Sequence, residues 1–180
     1  GVLCNVYDSE GKKTGSINLP EVKSAKAAQI LNNSIAIADI SDGTIKICNK
    51  ATGKVESKIG GFRLCCGIFD FCVNPKGGVY VADIGSFLVR GFKANGGKAG
   101  EFGARGRDIS QFHGCCNPVS VGCLSGDRIV TVEKDPTRIK IFDKMGGKAE
   151  LVDGINELVK GCSHIPVAIN SKDEIFLGTP

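Results

Sequence analysis

The sequence predicts an all-β fold, a small β-propeller of four blades with about four antiparallel strands each. Three observations predict it: an internal period of roughly 45 residues, short apolar strands divided by glycine-rich turns, and a complementary order of strands at the two ends of the chain.

The period is visible twice. Short apolar strands end on a polar residue at Asp39, Asp83, Glu133 and Thr179, in steps of 44, 50 and 46 residues. A second set runs into Gly-Lys turns whose glycines stand at 11, 53, 97 and 147. Glycine at such a turn supplies the positive φ that a hairpin demands. Each repeat therefore reads as an inner strand, a hairpin, a middle strand, a turn, a third strand, a Gly-Lys turn and an outer strand. The repeats fall at approximately 1–19 plus 162–180, 20–60, 61–104 and 105–161.

The chain starts with third and outer strands and ends with inner and middle strands. Pairing residues 2–19 with 167–179 would make one four-stranded blade from both termini and close the ring. The alternative is an open fragment of a larger propeller, because rings of six to eight blades use similar repeats.

Composition agrees with this fold class and excludes others. The 180 residues fit one domain, and 42% hydrophobic with 23% charged residues suits a chain with a real core. Twenty-five glycines suit many tight turns, and only residues 155–160 read as a helical turn. No apolar run approaches the roughly 20 residues that cross a bilayer, so no membrane span is expected. The net charge of +4 is spread along the chain without a basic face or interleaved aromatics, so no nucleic-acid partner is expected. Starting at Gly1 without an apolar leader, the sequence gives no compartment. Nine cysteines are an odd number, so at least one is not paired within a monomer.

The stretch 70–83, followed by Val89-Arg90-Gly91-Phe92 and Asn95-Gly96-Gly97, resembles NHL-repeat propellers. Gly97, Gly100, Phe102 and Gly103 look like that family's connection into the next blade. The resemblance covers nearly the whole chain and implies a propeller, although four repeats depart from the six blades more usual there. It implies no single function, since such propellers serve as binding and enzymatic scaffolds alike.

Function is argued from the cysteines. Counting back 17 positions from the polar strand ends gives Val22, Cys66, Cys116 and Cys162. Each lies just before an inner strand, so the three cysteines are expected around one mouth of the channel. Two are doubled, as Cys65-Cys66 and Cys115-Cys116, and the two histidines of the chain, His113 and His164, each stand two residues from a cysteine. The expected ligand or partner site is therefore Cys65, Cys66, His113, Cys115, Cys116, Cys162 and His164.

Thiolates and imidazoles converging from separate blades suit a transition metal or an iron–sulfur cluster, with Cys66, Cys116, Cys162, His113 and His164 as ligands. Adjacent cysteines are not expected to share one metal, because their side chains diverge. Two other readings stay open: small buried hydrophobes, or disulfide chemistry. Cys4, Cys48, Cys72 and Cys123 sit in or beside apolar strands and read as core. The segment 105–108 reads as a solvated turn and 134–138 as an ordinary turn. No Ser, His and Asp set, phosphate loop or carboxylate pair is recognisable.

The leading functional reading is a module that binds a protein or small-molecule ligand at the Cys/His-lined mouth. The alternatives are a metal- or redox-active protein built on the same cysteines, and a lyase or hydrolase on the same scaffold.

Overall fold

In a computed structural model the described residues are 1–152 and 163–178, and their regular structure is β apart from one 3-10 turn at Ser125–Asp127. The segment read as a helical turn, Cys162 and Thr179 lie outside them. No helix among the described residues is long and apolar enough to cross a membrane. The chain divides into two compact units, Gly1–Gly61 and Phe62–Pro180.

The first unit opens with a hairpin of β1 (Val2–Tyr7) and β2 (Lys13–Leu19). A four-stranded antiparallel meander follows: β3 (Ala25–Leu31), β4 (Ser34–Asp39), β5 (Thr44–Asn49) and β6 (Val55–Ile59). Strand β4 is buried on both faces from Ile35 to Asp39, and its Ile35–Ala38 stretch reads as a continuous apolar run because neither face there meets water. Leu19, Val22, Ile35, Ile37 and Cys48 form the core of this unit.

The second unit holds two further meanders. One contains β7 (Phe71–Val73), β8 (Val79–Asp83), β9 (Leu88–Phe92) and β10 (Lys98–Phe102). The other contains β11 (Ser120–Cys123), β12 (Ile129–Glu133), β13 (Arg138–Phe142) and β14 (Ala149–Leu151). A last hairpin joins β15 (Val167–Ile169) to β16 (Ile175–Leu177). Their cores mix residues of successive meanders, as where Val89 and Phe102 pack with Val121, Ile129 and Phe142.

These sheets are the strands assigned to each repeat from the sequence, in the same order. Among the described residues β1 pairs with β2 and β15 with β16, and no hydrogen-bonded sheet combines the two hairpins. The turn glycines need one correction. Gly11 and Gly53 carry positive φ as expected, whereas in the last two repeats Gly96 and Gly146, one residue before the Gly-Lys pair, take that role.

The polar residues that end the middle strands face inward. Asp39, Asp83 and Glu133 are each fully buried. They accept backbone N–H groups from the loop leading into their own inner strand: Lys23 and Ser24 on Asp39, Arg63 on Asp83, His113 on Glu133. Seven residues after each acid the third strand supplies a cation, Lys46, Arg90 or Lys140, that lies 2.6, 3.2 or 3.4 Å from it. This acid ties down the loop into each inner strand, and in the second unit Asp83 and Glu133 thereby hold the loops that carry the adjacent cysteines.

Candidate functional site: a sulfur cluster at the start of the inner strands

Two adjacent-cysteine turns, Cys65-Cys66 and Cys115-Cys116, lead into β7 and β11 of the second unit. A disulfide joins Cys65 to Cys116, with Cα atoms 6.4 Å apart. Within each turn the two sulfurs stand 3.4 Å from one another. The sulfurs of Cys65, Cys66 and Cys116 all lie within 4.8 Å of each other. Cys66 and Cys115 are exposed, and Cys65 and Cys116 are half-buried against the apolar cluster of Ile68, Ile84, Val119 and Ile165.

The convergence of neighbouring sulfurs overturns the expectation that adjacent cysteines point apart. Its cause is the backbone: Cys66 has φ 56° and Cys116 φ 58°, the left-handed region, which folds the second side chain of each pair back toward the first. That the same conformation recurs in both turns agrees with the equal offset of Cys66 and Cys116 in the repeat.

A second disulfide joins Cys72 to Cys123, with Cα atoms 6.1 Å apart. The core reading of these two holds for the burial of Cys72, and it misses their bond. Both bonds span 51 residues, so they staple the strand pair β7 and β11 at two levels seven residues apart. Cys48 is buried as expected, and Cys4 is half-buried.

The histidines are engaged elsewhere. His113 places Nε2 3.2 Å from Arg107 Nε, and its backbone N–H donates to Glu133. His164 Nε2 lies 2.9 Å from Ser120 Oγ. Neither joins the sulfur group, which among the described residues gathers Cys65, Cys66 and Cys116 with Cys115 beside them, whereas the set expected from the sequence was Cys66, Cys116, Cys162, His113 and His164. The segment 105–108 is held by Arg138, which donates to the Arg107 carbonyl and binds Glu133 with two nitrogens.

Sequence reasoning also missed a polar chain. Asp70 and Ser120 occupy the same offset, 13 residues before Asp83 and Glu133. Ser120 Oγ contacts His164 and donates to the Ile165 carbonyl at 2.6 Å, and Val121 N–H donates to Asp70. Burial pushes the Asp70 carboxyl up to about 6, although bonds from Val121, Ser120 and Phe71 oppose it. This is no nucleophilic triad. Ser120 is fully buried, and the carboxylate is bonded to serine and backbone, not to imidazole.

No protein-family model matches the sequence, and no curated protein matches it. Solved structures do match in fold. Virginiamycin B lyase from Staphylococcus aureus is 11% identical with a TM-score of 0.63, over 96% of this chain and 55% of that one. A streptogramin B lyase is 11% identical with a TM-score of 0.61, over 97% of this chain and 61% of that one. The WD40 β-propeller domain of Doa1 is 17% identical with a TM-score of 0.52, over 73% of this chain and 40% of that one. At these identities the likeness shows the fold, a β-propeller, and the chain spans little more than half the length of the lyases.

Proposed function

We propose that the chain is a propeller binding module of NHL-like repeats, and that its recognition site is the sulfur-lined surface where β7 and β11 begin. The observation that carries the reading is the convergence of two adjacent-cysteine turns from neighbouring repeats, with the exposed thiol of Cys115 beside a disulfide. Loops at strand ends on a rigid sheet framework are where binding residues concentrate, because loops tolerate the special backbone that recognition needs. The lyase activity named for two neighbours rests, for this chain, on fold likeness alone, and the reading does not draw on it.

Disulfide tethering tests the reading. A library of small-molecule disulfides is equilibrated with the protein under mild thiol, and adducts are mapped by mass spectrometry. Selected fragments should accumulate on Cys115 at a stringency where half-buried Cys4 takes none. Uniform labelling of Cys115 by every fragment would mean an exposed thiol without a site around it.

A further inference from the structure

We propose that these four cysteines form a reduction-gated site for one soft divalent metal ion, bound as a tetrathiolate by Cys65, Cys66, Cys115 and Cys116. This rests on the reading of the same surface as the recognition site and names its ligand class.

The distances carry the argument. Four thiolates around zinc at about 2.3 Å put neighbouring sulfurs roughly 3.8 Å apart, the edge of a tetrahedron. Each adjacent pair already stands at 3.4 Å, and Cys65, Cys66 and Cys116 fit within 4.8 Å. Opening the Cys65–Cys116 bond lets its two sulfurs separate from bonding distance, about 2.05 Å, to that edge, and Cys115 turns in to complete the set.

The backbone points the same way. Cys66 and Cys116 hold positive φ, a conformation that is costly for a residue with a Cβ. Glycine would relieve that cost. Retaining cysteine at both equivalent positions makes sense where the sulfur itself is used.

The two staples divide the work. Cys72 is 4% exposed and its bond to Cys123 lies in the core, whereas Cys65 and Cys116 are half-buried between exposed Cys66 and Cys115. A reductant reaches the outer bond first, and the inner staple keeps β7 beside β11 while the site opens. A dithiol supplies the two electrons and two protons: the Cys65–Cys116 S–S bond breaks, two thiols form, and the dithiol closes to its own disulfide. The metal ion then displaces four protons as four metal–sulfur bonds form.

Cobalt(II) is the probe. The full chain is reduced with a phosphine, which leaves as the phosphine oxide with oxygen from water, then exchanged into reductant-free anaerobic buffer and titrated. One equivalent should bind with the intense visible absorption of tetrahedral thiolate cobalt, and zinc should displace it. The oxidised protein should show no such band. Cys115→Ser should weaken binding by at least the roughly 10–100-fold that loss of a mere supporting hydrogen bond costs, and Cys4→Ser should leave it unchanged. Absence of the band in reduced, folded protein, or equal binding by Cys115→Ser, overturns the proposal. Should reduction unfold the chain, Cys116→Ser, which cannot form the outer staple, should bind cobalt without reductant in a three-thiolate spectrum, and its failure to do so is equally fatal. Loss of the metal result with fragment selection at Cys115 intact would sink the tetrathiolate alone.

Discussion

Lys46 sets its ammonium 2.6 Å from Asp39 Oδ2, with the two side chains 2% and 0% exposed. The same ammonium donates to the Glu21 carbonyl at 2.7 Å and lies 3.1 Å from Asp42. Burial works against ionisation of Asp39, yet the Lys46 ammonium, the Lys23 N–H and Ser41 outweigh it and hold the carboxyl well below its usual range. Removing one partner of a buried pair leaves an uncompensated charge. Lys46→Met should therefore cost about 3–5 kcal/mol in chemical denaturation, while Lys98→Met, at an exposed pair with Glu101, should cost less than about 1 kcal/mol. Similar losses for the two would mean that Asp39 is adequately held by backbone N–H groups.

The repeat period was legible because the same burial problem recurs in each meander, and each solves it with an apolar middle strand ending on an acid. The cation seven residues later was equally legible and went unread, since Lys46, Arg90 and Lys140 look like surface charges until the acid is known to be buried. The cysteine partners were harder. Equal offset identifies Cys66 with Cys116, but equivalence within a repeat is not contact, and the bond runs diagonally from Cys65 to Cys116. The shared separation of 51 from Cys65 to Cys116 and from Cys72 to Cys123 was the available signal. The left-handed turns that gather the sulfurs leave no trace in residue type, because cysteine there replaces the expected glycine.

Asp70 makes stability depend on pH in a direction opposite to that of Asp39. Its carboxyl is raised to about 6 in the folded chain from 3.8, so between those values the native state holds a proton that the unfolded state has lost. Stability from this group is present below about pH 4 and declines as pH rises to about 6, by a total of about 3 kcal/mol. Asp70→Asn removes the titration, so the stability of the variant relative to the parent should climb across that window. A constant difference from pH 4 to 7 would place the Asp70 pKa near its ordinary value.

The two staples should cost unequal amounts when they are removed in succession. With both closed, deleting Cys65 and Cys116 together as alanines releases only the ring of about 16 residues between the bonds, a loss of about 3 kcal/mol in the chain-entropy account. Deleting all four cysteines also opens the loop of about 50 residues and should add about 4 kcal/mol more. Denaturation of oxidised protein measures both steps. A first deletion as costly as the full set would show that the outer bond alone carries the constraint.

Gly103 tests the packing on which the second unit rests. Its φ is +105°, where L side chains rarely go, and a Cβ there would strike the Phe112 ring and come within 2.8 Å of the Phe87 carbonyl oxygen. Phe112 cannot retreat: it is fully buried, with ring centroids 6.4 Å from both Phe102 and Phe142, and the Lys140 ammonium lies 4.3 Å from its own centroid. Gly126 makes a suitable control in the same unit, because its φ is +68° and nothing lies within 4 Å of an added Cβ. Gly126→Ala should cost only the conformational term of roughly 1–2 kcal/mol, whereas Gly103→Ala should add an overpacking cost of about 1–3 kcal/mol. Thermal or denaturant midpoints of the two variants decide the order, and equal midpoints would mean that the Phe112 ring is free to shift.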